Sequence, residues 1–241
     1  SMIFLGDIHG KFEVISERIE VYDINNNNII QVGDFGIGFN SNDLDRLNIL
    51  NKKLEENNIQ LYVVRGNHDS TKFFDGSYMN YFSNIHFVPD YTVLELEEHK
   101  ILFVGGAVSV DRVPLIKETN DEKNKEKGLV FYFEDEVFKF DEEKIKSIEG
   151  VDIIVTHTCP TYCFPDSRFG ASPFVLNYAE NDANLLKDLD KERNEMTKMF
   201  DMLSKKNFID RHYYGHYHRG EITMNLNTNH YCLGVNEMRE I

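Results

Sequence analysis

Met2-Ile3-Phe4-Leu5-Gly6-Asp7-Ile8-His9-Gly10 is the stretch from which the organisation of the chain can be read. Its apolar run, Met2 to Leu5, reads as a buried strand, and Gly6 and Gly10 bracket a turn that carries Asp7 and His9. A carboxylate and an imidazole at one strand end can face a single ligand. Together they suit a borderline metal ion, because Asp offers hard oxygen and His a softer nitrogen. Gly-Asp-x-His also describes a strand-to-helix turn in which Asp7 caps the next helix. Further ligand-type residues at later strand ends decide between the two readings.

Outward from this turn, Phe12, Ile15 and Ile19 recur at helical spacing and predict a short amphipathic helix over residues 12–20. After a polar loop at Asn25 to Asn28, Ile29 to Val32 read as a second strand, ending in Gly33-Asp34-Phe35-Gly36. Asp34 thus stands where Asp7 stood, at the carboxyl end of a buried strand, where open α/β sheets place their ligands. Leu44, Leu47, Leu50 and Leu54 supply the face of a second helix, with Ser41 and Asn42 as capping candidates. A third strand, Ile59 to Val64, closes with Arg65-Gly66-Asn67-His68-Asp69. Consecutive polar side chains directly after a buried strand are costly unless something engages them. A loop tip open to water is the alternative.

Gly-Asp-Ile-His-Gly, Gly-Asp-Phe-Gly and Gly-Asn-His-Asp resemble the first three signature blocks of the calcineurin-like metallophosphoesterases. That resemblance implies two later blocks. Val151 to Val155 form a strand ending in Thr156-His157-Thr158, and Arg211 to Tyr214 lead into Gly215-His216-Tyr217-His218. These are similar to the family's single His and its Gly-His-x-His, in the right order. Four of the nine histidines, His86, His99, His212 and His230, match no block and are expected at the surface or in packing. Cys159 lies close to His157 but fits no family pattern.

The resemblance implies a constellation. Asp7, His9 and His218 would join Asp34 on one metal, and Asn67, His157 and His216 would join it on the other, with Asp34 bridging. Two cations about 3.5–4 Å apart need such a carboxylate to offset their repulsion, and a water they share becomes hydroxide near neutral pH. Mn, Fe or Zn, divalent or trivalent, all suit mixed Asp, Asn and His ligation. His68 would protonate the leaving oxygen, with Asp69 orienting its ring. The fold implied is an α/β four-layer sandwich of two mixed β-sheets flanked by helices, a single domain over 1–241 with a variable insertion around 112–184. Phosphomonoester hydrolysis is the first expectation, phosphodiester or nucleotide-phosphate hydrolysis the second, and a non-catalytic scaffold of the same fold the third. The protein serine/threonine phosphatases carry an Asp-Arg pair after the bridging Asp and a Glu after Asn-His. Here Gly36-Ile37-Gly38 and Asp69 stand instead.

Composition narrows the partners. A net charge of -15, from 41 acidic against 26 basic residues, argues against nucleic acid, whose phosphates are met mainly by Lys and Arg. A phosphorylated small molecule or phosphoprotein is the expected substrate. Cys159, Cys163 and Cys232, an odd number without a Cys-x-x-Cys pair, read as reduced thiols of a cytoplasmic protein. No run approaches a membrane span or a signal-peptide h-region, and Met2 is expected as the native start.

The remaining stretches carry weaker signals. Ile101 to Val104 read as a strand whose Gly105-Gly106 turn opens onto the metal cleft, delivering Ser109, Asp111 and Arg112. Arg112, and after it Arg168, are the candidates for forking a phosphate oxygen. Residues 117–127, rich in Lys, Glu, Asp and Asn, are expected as a solvated loop. Asp166 to Gly170 with Pro173 read as an ordered loop near His157. Leu185, Leu189, Met196, Met199, Phe200 and Leu203 mark a long core-packed helix.

Overall fold

A computed structural model describes residues 1–241. In chain order its elements are β1 (Met2–Leu5), α1 (Glu13–Val21), β2 (Asn27–Gln31), α2 (Asp43–Glu56), β3 (Ile59–Val63), β4 (Ile85–Phe87), β5 (Thr92–Leu96) and β6 (His99–Val104). There follow α3 (Arg112–Asn120), α4 (Glu122–Glu126), α5 (Glu142–Lys146), β7 (Ile153–Thr156), α6 (Pro173–Ala179) and α7 (Leu185–Leu203). The chain closes with β8 (Arg211–Tyr214), β9 (Glu221–Asn225), β10 (Thr228–Cys232) and β11 (Met238–Glu240).

β1 explains the layering. Successive side chains of a strand point to opposite faces. Ile3 and Leu5 join a core shared with Ile15 and Ile19 of α1 and Leu47, Leu50 and Leu54 of α2. Met2 and Phe4 enter a second core with Ile30, Ile101, Phe103, Ile153, Val155 and Tyr213. Both faces are apolar, so a second sheet has to cover the side away from the helices. One sheet has the order β11-β1-β2-β3-β4 and the other β5-β6-β7-β8-β10-β9. Both are mixed: β11 runs antiparallel to β1, and β5 and β9 run antiparallel to β6 and β10. The outer face of the second sheet packs on α5 and α7 through Leu102, Ile154, Ile145, Met196 and Phe200. The four expected layers are present.

Phe4 of β1 and Tyr213 of β8 stack at 3.6 Å with rings 5° from parallel, joining the two sheets through the core between them. Phe4→Ala should therefore lower unfolding stability by about 3–5 kcal/mol, seen as a lower urea midpoint at unchanged slope.

Two local expectations are corrected. Most of residues 117–127 are helical, within α3 and α4. The Asp121 side chain accepts from the N–H groups of Lys123 and Asn124, and Lys and Glu are good helix formers, so a polar run needs only this cap to coil. At α2 neither Ser41 nor Asn42 caps; Asn42 takes the cap position without a side-chain bond. Instead Asp43 Oδ2 accepts from Gly38, Phe39 and Asn40 N–H at 2.8, 3.2 and 3.3 Å, because the preceding loop turns its donors inward. All three cysteines are free and buried. No helix is long and apolar enough to cross a membrane.

Candidate metal centre

Parallel pairing brings the motif-bearing strand ends to one edge. Leu5 pairs with Gln31 and Gln31 with Val63 across β1, β2 and β3, while Val155 of β7 pairs with Tyr213 of β8. The residues after each strand then emerge side by side: Asp7 and His9, Asp34, Asn67 and His68, His157, and His216 with His218.

They fall into two groups that share one carboxylate. Donor atoms of Asp7, His9, Asp34 and His218 lie within 4.8 Å of one another, and so do those of Asp34, His157 and His216. Asp34 Oδ2 is 3.5 Å from His9 Nε2, whereas its Oδ1 is 3.2 Å from His157 Nε2. Asp7 Oδ2 is 3.4 Å from His218 Nε2 and 3.8 Å from His9 Nε2. Asn67 Oδ1 lies 3.0 Å from His157 Nε2 and so adds to the second group. Asp7, Asp34, Asn67 and His157 are buried, while His9 and His218 are exposed and mark the open side.

The backbone is bent to reach this arrangement. His9, Asp34, His216 and His218 all have left-handed φ, at 48°, 52°, 72° and 56°. Such conformations cost side-chain-bearing residues of order 1–3 kcal/mol each and gather where function demands them. Close packing beneath the donors is equally specific. A Cβ on Gly66 would stand 2.3 Å from Asp34 Oδ1, and one on Gly215 would stand 2.1 Å from Asp7 Oδ1. Glycine therefore lies against both acids.

The electrostatics favour added positive charge. Burial disfavours the His157 cation, yet the carboxylates of Asp34 and Asp7 push its pKa up to about 10. Burial likewise works against the Asp34 anion, but His157 and His68 hold its carboxyl well below the usual range. His9 is raised, chiefly by its contact with Asp34. A divalent cation would satisfy the same negative field with the imidazoles neutral. His157 is prepared for this, since its Nδ1–H donates to Val32 O at 2.7 Å and leaves the Nε2 lone pair facing Asp34 and Asn67. The oxygen-and-imidazole donor set thus fits two cations of the Mn, Fe or Zn type.

Around these donors lies a shell of polar groups that the motifs did not reveal. Asn67 Nδ2–H donates to Ser109 Oγ at 2.8 Å, which fixes the amide with Oδ1 toward His157. Ser109 Oγ–H donates to Glu136 Oε2 at 2.6 Å, and its backbone N–H to Glu136 Oε1 at 2.8 Å. Burial pushes the Glu136 carboxyl up to about 8 despite those donors. The segment after the Gly105-Gly106 turn thus reaches the donor group through the buried Ser109, and Glu136 behind it was missed. On α7, Glu192 accepts from Val108 N–H at 2.7 Å and from the Thr158 hydroxyl at 3.2 Å. Its neighbour Arg193 donates to the carbonyls of Cys159, Pro160 and Cys163 and holds the loop after His157. Both occupy the otherwise apolar stripe of α7, and a charged pair on such a stripe was the signal available.

Three of the expected site residues have partners within the protein. Asp69 does not orient the His68 ring: its Oδ1 accepts from Gly36 and Ile37 N–H at 2.7 and 3.2 Å, and its Oδ2 from Gly66 N–H at 2.8 Å. It ties the turn after β2 to the turn after β3. Arg112 spends its guanidinium on Asp182 at 2.6 and 3.0 Å and on Asp188 at 2.8 Å, anchoring α3 to the start of α7. Arg168, with a side chain 80 % exposed, is forked onto Asp166. Both arginines expected to meet phosphate are thus paired with carboxylates of the chain itself. Arg65 is also internal, donating to the carbonyls of Asp135, Glu136 and Val137 and to Asp90. His68 places its backbone N–H 2.9 Å from Asp34 Oδ1 and its half-buried ring 6.4 Å from that of His9, centre to centre.

Comparison with solved structures finds the same architecture. A dimetal phosphatase from Danio rerio matches with a TM-score of 0.51 at 13% identity, over 97% of this chain and 87% of that one. A phosphopantetheinyl hydrolase from Mycobacterium tuberculosis matches with a TM-score of 0.50 at 14% identity, over 98% of this chain and 90% of that one. Among curated proteins no sequence matches. The model of the calcineurin-like phosphoesterases matches residues 1–220, which takes in all five motif blocks. With that match the two-group centre has its family, and the chain belongs to the calcineurin-like phosphoesterases, metal-dependent hydrolases of phosphoric esters.

Proposed function

We propose that the chain hydrolyses phosphomonoesters with a pair of metal ions held by Asp7, His9, Asp34 and His218 on one side and by Asp34, Asn67, His157 and His216 on the other. The observation that carries this reading is the position of Asp34, whose two oxygens face two different ligand groups. A bound cation pair would supply Lewis acidity toward a phosphoryl group and a water acid enough to attack near neutral pH.

The protein's own residues do the remainder. Buried Asp7 and Asp34 set the negative field, and exposed His9 and His218 leave the approach open to substrate. His68, held beside Asp34 by its backbone N–H, delivers a proton from its ring to the leaving alkoxide. Monoesters are ranked ahead of diesters in this reading, and the acidic chain disfavours polyanionic nucleic acid.

A panel of phosphomonoesters, phosphodiesters and nucleotides with added Mn tests the assignment. Turnover is expected on monoesters first. Cleavage of diesters alone would transfer the assignment to a phosphodiesterase, and no cleavage of any would leave the scaffold reading. The support beneath Asn67 gives a second test. Ser109→Ala removes the group that fixes the amide, and should weaken metal binding about 10–100-fold, read by titrating the chelator-stripped protein.

A further inference from the structure

β2 ends on Gln31, a buried amide among the apolar side chains of Ile29, Ile30 and Val32. The motifs give it no role. Backbone pairing between β1 and β2 stops at its level, where Val32 N–H donates to Leu5 O at 3.0 Å. The next backbone link between the two turns lies beyond the acids, where Ile8 and His9 N–H reach Asp34 O at 3.1 and 2.9 Å. Gly6 and Gly33, the residues just before Asp7 and Asp34, fall in the gap between these links.

The Gln31 side chain closes that gap. Its Nε2–H groups donate to Gly6 O at 3.1 Å and to Gly33 O at 2.7 Å, and its Oε1 accepts from Gly33 N–H at 3.0 Å. One amide thereby joins the turn that carries Asp7 to the turn that carries Asp34. The reversed amide would set its oxygen against two carbonyl oxygens, so the donor pattern fixes its orientation. Gly33 is in turn pressed against the second donor group: a Cβ on it would stand 2.5 Å from His157 Nδ1 and 3.0 Å from Gly66 N. The carbonyl next to it, Val32 O, is the acceptor of His157 Nδ1–H.

We propose that Gln31 is a positioning residue of the metal centre, which sets the spacing of Asp7, Asp34 and His157 through the backbone that precedes or orients each of them. Asp7 and Asp34 both direct an oxygen toward His9 Nε2, at 3.8 and 3.5 Å, and two buried carboxylates so close repel one another. Without a lock beneath the acids, the two turns would relax apart in the metal-free protein. Binding a cation would then have to draw them together again, which a preformed site avoids. A neutral amide suits this place, because it supplies two donors and one acceptor without setting another charge below the anions. The inference rests on the two-metal reading of the centre.

Mn(II) titration of chelator-stripped Gln31→Met, with Phe4→Ala as the control, tests this. Met fills the space of the amide without its hydrogen bonds, and should weaken Mn binding about 10–100-fold, the usual effect of losing a group that orients ligands. Phe4 packs in the core between the sheets, so Phe4→Ala lowers stability without touching either turn. It should bind Mn as the unaltered chain does, since affinity belongs to the folded state. Unchanged affinity in Gln31→Met, or equal losses in both variants, would overturn the proposal. A second measurement needs no substitution, because half-buried Gln60 is the only other glutamine and glutamine-selective ¹⁵N labelling marks just these side-chain amides. In the metal-free protein the Gln31 amide should exchange with solvent roughly a hundredfold more slowly than that of Gln60. Equal rates would mean that no lock exists before metal binds, and would equally sink the idea. Uptake of a single Mn by the unaltered chain would end the two-metal reading alone, because the ratio of affinities between variant and unaltered chain is read either way.

Discussion

Asp34→Asn is expected to lower turnover by roughly a thousandfold or more, about 4 kcal/mol of transition-state stabilisation, and to reduce binding of at least one metal. The substitution keeps the shape and removes the charge. Asp34 is buried and is the only acid whose oxygens face both donor groups, Oδ2 toward His9 and Oδ1 toward His157. In the variant one of those positions becomes an NH₂ group, which repels a cation and competes for the imidazole nitrogen. The fold should survive, since the packing beneath it, Gly66 against Oδ1, is unchanged in volume. Metal content and turnover measured on one preparation decide the matter. Full activity with one metal per chain would rule out the dinuclear reading.

His68→Ala carries the second large effect, and its signature is a contrast between substrates. On esters with poor alkoxide leaving groups the loss should be about 10²–10⁴-fold, the usual worth of a positioned general acid. On a nitrophenyl ester, whose leaving group scarcely needs a proton, it should be under about tenfold. Metal content should stay unchanged, because the link of His68 to the centre is its backbone N–H on Asp34, which Ala retains. Equal losses on both esters would remove His68 from the acid role. Asp69 enters the contrast differently from the sequence expectation. It accepts from three backbone N–H groups, and burial beside Asp34 pushes its carboxyl up to about 7, so it shapes the two turns instead of steering the ring.

What could be read from the chain alone was whatever is local. Each motif is a strand followed at once by a turn, and a four- or five-residue apolar run with a glycine and a ligand-type residue behind it needs no distant contact to be recognised. The strand ends at Asp7, Asp34, Asn67, His157 and His216, the helical faces of α1, α2 and α7, and the α/β class all follow from such runs. Helix α7 shows the limit within one element. Its stripe of Leu185, Met196 and Met199 was legible, but the reason Glu192 and Arg193 share that stripe lies in Val108, Thr158 and the loop at Cys159 to Cys163.

Only the tertiary structure could decide which side chain serves which, because hydrogen bonding joins atoms that meet through sheet pairing and loop closure. Ser109 lies 42 residues from Asn67 and Glu136 another 27 further on, yet they form one chain of contacts beneath a proposed ligand. The arginines make the same point in the opposite sense. Arg112 and Arg168 have the right chemistry for phosphate, but only the folded chain shows that Asp182, Asp188 and Asp166 stand within 3 Å of them. Residue type and spacing along a strand specify the donors of the centre; their orientation, their support and the commitments of their competitors are set by contacts that exist only once both sheets have closed on one another.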